Sequence, residues 1–398
     1  MTRILKKPKW TRNEILAILV VLWFVGAWFI GKQRIVNNFE PFYEMAFPEG
    51  SAFSSSNDEI IEVKNNHGKN IGYVSTGTAS GYGGPLSVIL ATDSLGEITS
   101  LSVLNHRETP TFFDKTIKTA ILKSLVKSNL DSPLKLNDDI DGVSGATYTS
   151  NAIIQSTQQA AHGIGREKFN LKIEEDKRKI QFGLPEILLI LLFLTAFLQR
   201  KYMKGKTRKT IRWITLLIGL IFLGFVFNRP FVLAHVNMAL LGYFPAIETH
   251  IYWYILIAGL VLFKTEKKWN TYCYDFCPFG ACQEVLGAVG GAKSPKLKWR
   301  EPLRWAQRIL VIIAVSLALI YRNPGFSSFE IFGTLFELEG SSWQFVVLAI
   351  VLLSSLFINR PFCNYLCPLH QNTLEGLFDR TRKNTKKLWQ KSPEKKIT

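Results

Sequence analysis

Two short stretches hold every cysteine of the chain. CYDFCPFGAC supplies Cys273, Cys277 and Cys282, and CNYLCPLH supplies Cys363 and Cys367. Each opens as C-x3-C-P, so four thiols recur as two matched pairs. Cys282 breaks the repeat, because Asn372 holds its equivalent position. Four thiolates suit an iron–sulfur cluster or a zinc site, and spacing alone does not choose between the metals. A third stretch, DGVSGATYTS (141–150), offers different chemistry. Gly142 and Gly145 permit a tight turn, and Ala146 keeps the surface small. Ile153, Ile154, Thr157 and Ala161 then follow at helical spacing, so a helix is expected from Thr147. Free N–H groups and the positive end of the helix dipole make such a start a seat for phosphate.

Something must carry these groups, and the apolar residues say what. The chain has 398 residues, 47% hydrophobic and 13% aromatic. Six apolar runs, approximately 14–31, 184–200, 211–228, 246–263, 305–321 and 343–359, approach the roughly 20 residues that span a bilayer. The first follows a basic stub without a small-residue cleavage site and reads as a retained anchor. The second, PEILLILLFLTAFL, is the shortest. Lys and Arg number five in residues 1–13, seven in 199–212, nine in 264–308 and nine in 359–398. The loops 228–250 and 321–342 hold one each, Arg229 and Arg322. The positive-inside rule therefore expects both termini and both cysteine motifs on the cytoplasmic face. The net charge of +17 is read as a topology signal, and nucleic acid is not an expected partner.

Residues 36–180 carry 14 Lys and Arg against 18 Asp and Glu, and are expected outside. The expected domains are thus 1–35, a stub and anchor helix; 36–180, an extracytoplasmic domain; and 181–398, five membrane helices with a basic tail. The outer segment reads as α+β. IIEVKNNHGKNIGYVSTG and PLSVILATDSLGEITSLSVL are expected hairpins, with turns at Asn66–Gly68 and Asp93–Gly96. A helix from Phe113 to Asn129 and the Thr147 helix should follow. No cysteine lies in this segment, so a cofactor there needs backbone, hydroxyls or a covalent bond to oxygen.

Ser144 to Ser150, SGATYTS, resembles the flavinylation motif of the FMN-binding domain in the Rnf and Nqr redox complexes. GYGGPLSV (Gly81–Val88) and NHRETP (Asn105–Pro110) resemble further blocks of that domain. The resemblance implies FMN held by a phosphoester to Thr147, installed by a flavin transferase. Thr149 is the nearest alternative acceptor. Ser144, Gly145, Ala146, Thr149, Gly83, Gly84, Glu108 and Thr109 would line the cofactor. One departure is that Thr111, Phe112 and Phe113 follow E-T-P, where the family usually has glycines. The whole chain resembles NosR/PceC-like membrane proteins: an α-helical polytopic fold of six transmembrane helices with an inserted extracytoplasmic α+β FMN-binding domain. It implies a [4Fe–4S] cluster on Cys273, Cys277, Cys363 and Cys367, with Cys282 a spare thiol or shifted ligand.

From that placement follow the functional expectations. A cytoplasmic-face cluster and an outer flavin in the cytoplasmic (inner) membrane imply transmembrane electron transfer, feeding an extracytoplasmic reductase. Electrons would come from menaquinol in the quinone pool or from a cytoplasmic ferredoxin-like donor. The hydrocarbon core is about 30 Å thick, so a further carrier is expected, a quinone or a centre on another polypeptide. His235 and His250, with Glu248 beside them, are candidates for protonating a quinol or binding haem, though wet interfacial histidines are the plainer reading. His370 is expected beside the cysteine site without ligating. The alternatives are a membrane redox sensor and a subunit of an ion-coupled pump. The pump is disfavoured because the acids Glu186 and Glu248 both lie near helix ends.

Overall fold

The computed structural model describes residues 12–34, 40–48, 50–57, 60–108, 110–118, 121–126, 128–132, 134, 147–173, 180, 182–267, 271–293, 300–327, 329, 331–338 and 340–369. Helix α1 (Arg12–Gln33) leads through the short α2 (Glu40–Ala46) into an antiparallel meander. Its strands are β1 (Gly50–Asn57), β2 (Ile60–Asn65), β3 (Asn70–Ser80), β4 (Pro85–Asp93) and β5 (Ile98–Asn105), paired in that order. Both expected hairpins form. Asn65 Oδ1 accepts the His67 and Lys69 N–H groups at 3.0 Å, and Asp93 Oδ1 accepts those of Leu95 and Glu97. These Asx turns leave Gly68 and Gly96 at positive φ.

Alternation along the strands gives the sheet two apolar faces. Ile60, Leu86, Val88 and Leu90 pack with α5 (Thr147–Phe169), through Ile153, Ile154 and Ile164. Val63, Val74, Ile89 and Ala91 pack under Phe42 and Phe47 at α2. Within the expected 113–129 helix the described residues form α3 (Pro110–Lys118) and α4 (Ile121–Leu125), both in chain order before α5.

The rest is helical: α6 (Leu184–Tyr202), α7 (Gly205–Ile218) continued by a π-helical Gly219–Val226, α8 (Leu233–Leu241), α9 (Ile247–Lys267), α10 (Thr271–Asp275), α11 (Pro278–Gly290), α12 (Arg300–Ile320), α13 (Phe332–Phe336), α14 (Ser342–Ser355) and α15 (Pro361–Tyr365). The six expected apolar runs thus fall on helices. Among the described residues three stretches, Ile15–Gln33, Gly205–Val226 and Pro302–Ile320, are long and apolar enough to cross a membrane. Glu186, Arg200 and Lys201 load the ends of α6, while Ile247–Phe263 and Ser342–Ser355 are shorter. At 1.5 Å per residue, α14 extends only about 21 Å. Exposed Leu22, Trp23, Phe29, Phe225, Ile309 and Ile313 form the apolar exterior that lipid would cover.

Close packing holds the bundle. Trp23 Nε1 donates to Ser316 Oγ at 2.8 Å, fixing α1 on α12. The core centres on Phe193, Leu256, Tyr272, Phe276, Phe279 and Phe362, and it includes Cys277 and Cys367. Gly219 meets the Phe276 carbonyl so closely that a Cβ would collide with it. The π-helical turn starts at that contact, next to the first cysteine motif.

Candidate redox sites

Among the described residues α5 begins at Thr147, where the glycine–hydroxyl pattern expects a helix start. Ser144, Gly145, Ala146 and Thr109 lie outside the described residues. Glu108 brings the other two blocks together beside the described start of α5. The Gly81–Gly84 turn closes with Gly81 N–H donating to the Gly84 carbonyl at 2.8 Å. A Cβ on Gly81 would strike Glu108 Oε1, and one on Gly83 the Arg107 carbonyl, so the glycines are needed for close approach. Thr149 Oγ1 donates to Glu108 Oε2 at 2.9 Å, and Gly83 N–H donates to Oε1 at 3.3 Å. Both side chains are buried. Burial pushes the Glu108 carboxyl up to about 7, against the lowering effect of those hydrogen bonds. Where glycines were expected, Phe113 stacks on His106 at 3.5 Å, and burial, then Arg107, lowers the His106 pKa.

Tyr148, next to the expected acceptor, faces the helical bundle. Its ring lies 4.8 Å from that of His250 and 6.1 Å from that of Tyr82, which lies 5.4 Å from His235. The Arg229 guanidinium sits 5.2 Å over both Tyr148 and Tyr252 and pairs with Glu186 at 2.9 Å. Tyr82, Tyr148, His235, Met238, His250 and Trp253 line a cavity of about 20 Å³, room for roughly one water. A quinone ring does not fit there. Nor does haem suit His235: its Nδ1 accepts the Val232 N–H at 3.2 Å, so the neutral ring carries its proton on Nε2. Metal-bound histidines do the reverse, donating from the second nitrogen. Sequence reading found the histidines and missed Tyr82 and Tyr148, which carry the contact.

The cysteine motifs repeat in three dimensions. Cys277 N–H donates to the Tyr272 carbonyl and Cys367 N–H to the Phe362 carbonyl, both at 2.8 Å and both five residues back. The preceding residues, Phe276 and Leu366, donate to those same carbonyls. Thus α10 and α15 end in the same turn, and Phe279 and Phe362 hold the two together with ring centroids 5.0 Å apart. Burial, followed by thiols of both motifs, raises the pKa of Cys273 and Cys367. Cys363 is pushed up to about 12, first by burial. Cys282 rises to about 11 through burial alone, outside this mutual influence.

Buried Gln283 and half-buried Arg360 join the motifs. Gln283 Oε1 accepts the Phe362 N–H at 3.0 Å, which turns Nε2 toward Cys363 Sγ at 3.2 Å. Arg360 donates to the Cys273 carbonyl at 2.6 Å and pairs with Glu284 at 3.0 Å. As placed, no group of three or more His, Cys, Asp or Glu among the described residues closes to metal-holding distance. The donor chemistry nevertheless fits a thiolate-bound cluster: four thiols from matched turns, an N–H aimed at sulfur, and an arginine beside them. His370 lies outside the described residues.

Comparison with known proteins decides the flavin question. Residues 81–162, from the glycine turn through most of α5, match the FMN-binding domain family. Regulatory protein NosR of Stutzerimonas stutzeri is 26% identical over 214 residues, 48% of this chain and 29% of that protein. The chain is NosR-like and carries an FMN-binding domain. A component of the ion-translocating oxidoreductase complex of Stutzerimonas stutzeri is 37% identical over 96 residues, 22% of this chain and 42% of that protein. The putative electron transport protein YccM of Escherichia coli K12 is 25% identical over 128 residues, 29% of this chain and 35% of that protein. The match spans less than a third of NosR and less than half of each of the other two. With its apolar helices, this is a membrane protein.

Proposed function

We propose that the chain conducts electrons between a cytoplasmic-face iron–sulfur cluster and an FMN bound covalently to Thr147 on the outer side. The observation that carries this reading is the contact of Tyr148, adjacent to Thr147 in the FMN-binding domain, with His250 of the helical bundle. It supports a flavin seated against the membrane portion. When bound, FMN takes one or two electrons, so it can couple a one-electron centre to either kind of partner.

Within the proposal, Glu108 and Thr149 brace the flavin turn, and the α5 start receives the phosphate. Cys273, Cys277, Cys363 and Cys367 hold a [4Fe–4S] cluster. Six spans put both termini inside and residues 36–180 outside, in the cytoplasmic membrane. A flavin transferase matures the protein, quinol or a cytoplasmic donor supplies electrons, and an extracytoplasmic reductase accepts them.

The deciding experiment is expression with a flavin transferase, followed by a denaturing gel. The chain should fluoresce as a flavoprotein, and Thr147→Ala should be dark. A fluorescent Thr147→Ala protein would sink the acceptor assignment and move attention to Thr149. A second reading, redox sensing, draws support from the name of the NosR relatives, regulatory protein. Flavin reduction indifferent to Cys363→Ser, with quinol and with a cytoplasmic donor alike, would put sensing first.

A further inference from the structure

Five rings run without interruption from the first cysteine motif to Tyr148 in the first turn of α5. Tyr272, the residue before Cys273, packs edge-on against Phe231 at 5.9 Å, and its hydroxyl accepts the Phe231 N–H at 2.8 Å. Phe231 stacks on His235, also at 5.9 Å and within 5° of parallel. His235 meets Tyr82 at 5.4 Å, and Tyr82 meets Tyr148 at 6.1 Å. Tyr148 directly follows Thr147.

We propose that Tyr272, Phe231, His235, Tyr82 and Tyr148 form the electron path between the two centres, in place of a third carrier. This rests on the proposed function, since it presumes the cluster and the Thr147-linked flavin. The physical argument is one of distance and contact. Tunnelling weakens exponentially with separation, and it weakens faster across gaps than through packed atoms. A separation set by full membrane thickness called for a further carrier, a quinone or a centre on another polypeptide. Phe231, between the π-helical turn and α8, brings the outer loop down onto Tyr272, so the separation is a few ring contacts instead. The residues are also well placed to stay put. Phe231, His235 and Tyr272 are buried, and Tyr272 is among the largest fully buried side chains. The rings act as the packed medium and are neither oxidised nor reduced. Each electron leaving the cluster reduces the flavin by one equivalent, and an outer one-electron oxidant takes it on.

The test uses the full chain in nanodiscs, flavinylated and reduced anaerobically, then mixed with ferricyanide. Flavin and cluster absorbance report reoxidation of each centre, and Thr147→Ala measures direct oxidation of the cluster. In Phe231→Leu and Tyr82→Leu, flavin content, iron content and both midpoint potentials should match wild type. Cluster reoxidation should nonetheless slow by about an order of magnitude. At equilibrium, the flavin EPR signal of wild type should saturate at higher microwave power when the cluster is paramagnetic, a sign of proximity. Unchanged reoxidation in both variants, or a saturation power blind to the cluster, overturns the path. Lost cofactor in both variants assigns the rings to packing alone and also overturns it. Wild type without iron, or without flavin on Thr147, instead marks failure of the underlying function.

Discussion

Thr149 Oγ1 donates a 2.9 Å hydrogen bond to Glu108 Oε2, joining the first turn of α5 to the block that closes the glycine turn. Three segments far apart in sequence thereby share one buried carboxyl. Folded Glu108 keeps its proton up to about pH 7, whereas the unfolded side chain releases it near 4.5. The unfolded state therefore binds fewer protons between those values, and stability falls as pH rises through them. The loss amounts to at most about 3 kcal/mol. Thermal melts of the purified chain between pH 4.5 and 8 should show it. Glu108→Gln, which can donate to Thr149 and accept from Gly83, should flatten the dependence. An equally steep profile in that variant removes Glu108 as the cause.

Cysteine replacements should divide into two classes. Serine at Cys273, Cys277, Cys363 or Cys367 should lower iron content by half or more, because each removes one of the four thiolates a cubane needs. Cys282→Ser should leave iron unchanged. Stoichiometric zinc in anaerobically purified protein rejects the cluster.

Gln283 should set the cluster's potential. Its Nε2 reaches Cys363 Sγ at 3.2 Å, and a hydrogen bond to sulfur favours the more negative, reduced state. Gln283→Glu keeps the acceptor for Phe362 N–H but loses the donor. Iron content should hold while the midpoint falls in an EPR-monitored titration. An unmoved midpoint with full iron rules this role out.

Topology is checked with a reporter active only in the cytoplasm. Fused after Thr398 it should be active, and inserted in the Asn65–Asn70 turn it should be silent. If α6, with charges at both ends, does not cross, every later segment inverts and the tail fusion falls silent.

Local signals were legible because they depend on neighbours in sequence. Asn65 and Asp93 turns, the α5 start at Thr147 and the paired C-x3-C-P motifs all follow from short-range chemistry. Strand β1, with its run of serines, showed no alternation to read. What pattern could not supply was the partner of each polar residue. Gln283 reads as an ordinary helix residue until Phe362 and Cys363 are folded against it. Tyr82 and Tyr148 likewise matter through His235 and His250, distant in the chain. Apolar length suggested six spans with the second the shortest, whereas the shortest of the six helices, with α7 counted through Val226, is α14, at 14 residues.

The matched turns of α10 and α15 also impose an order on biosynthesis. The ribosome delivers Cys273 and Cys277 long before Cys363 and Cys367, and each turn carries only two thiols. Two thiols cannot retain a cubane, so the proposed cluster would have to wait until α14 and α15 have been made and docked through Gln283 and Arg360. Until then the first pair is an open dithiol, exposed to stray metals and oxidants. On the proposed function, maturation would be a late, post-insertion event, and factors that shield nascent thiols should raise its yield more than extra iron does.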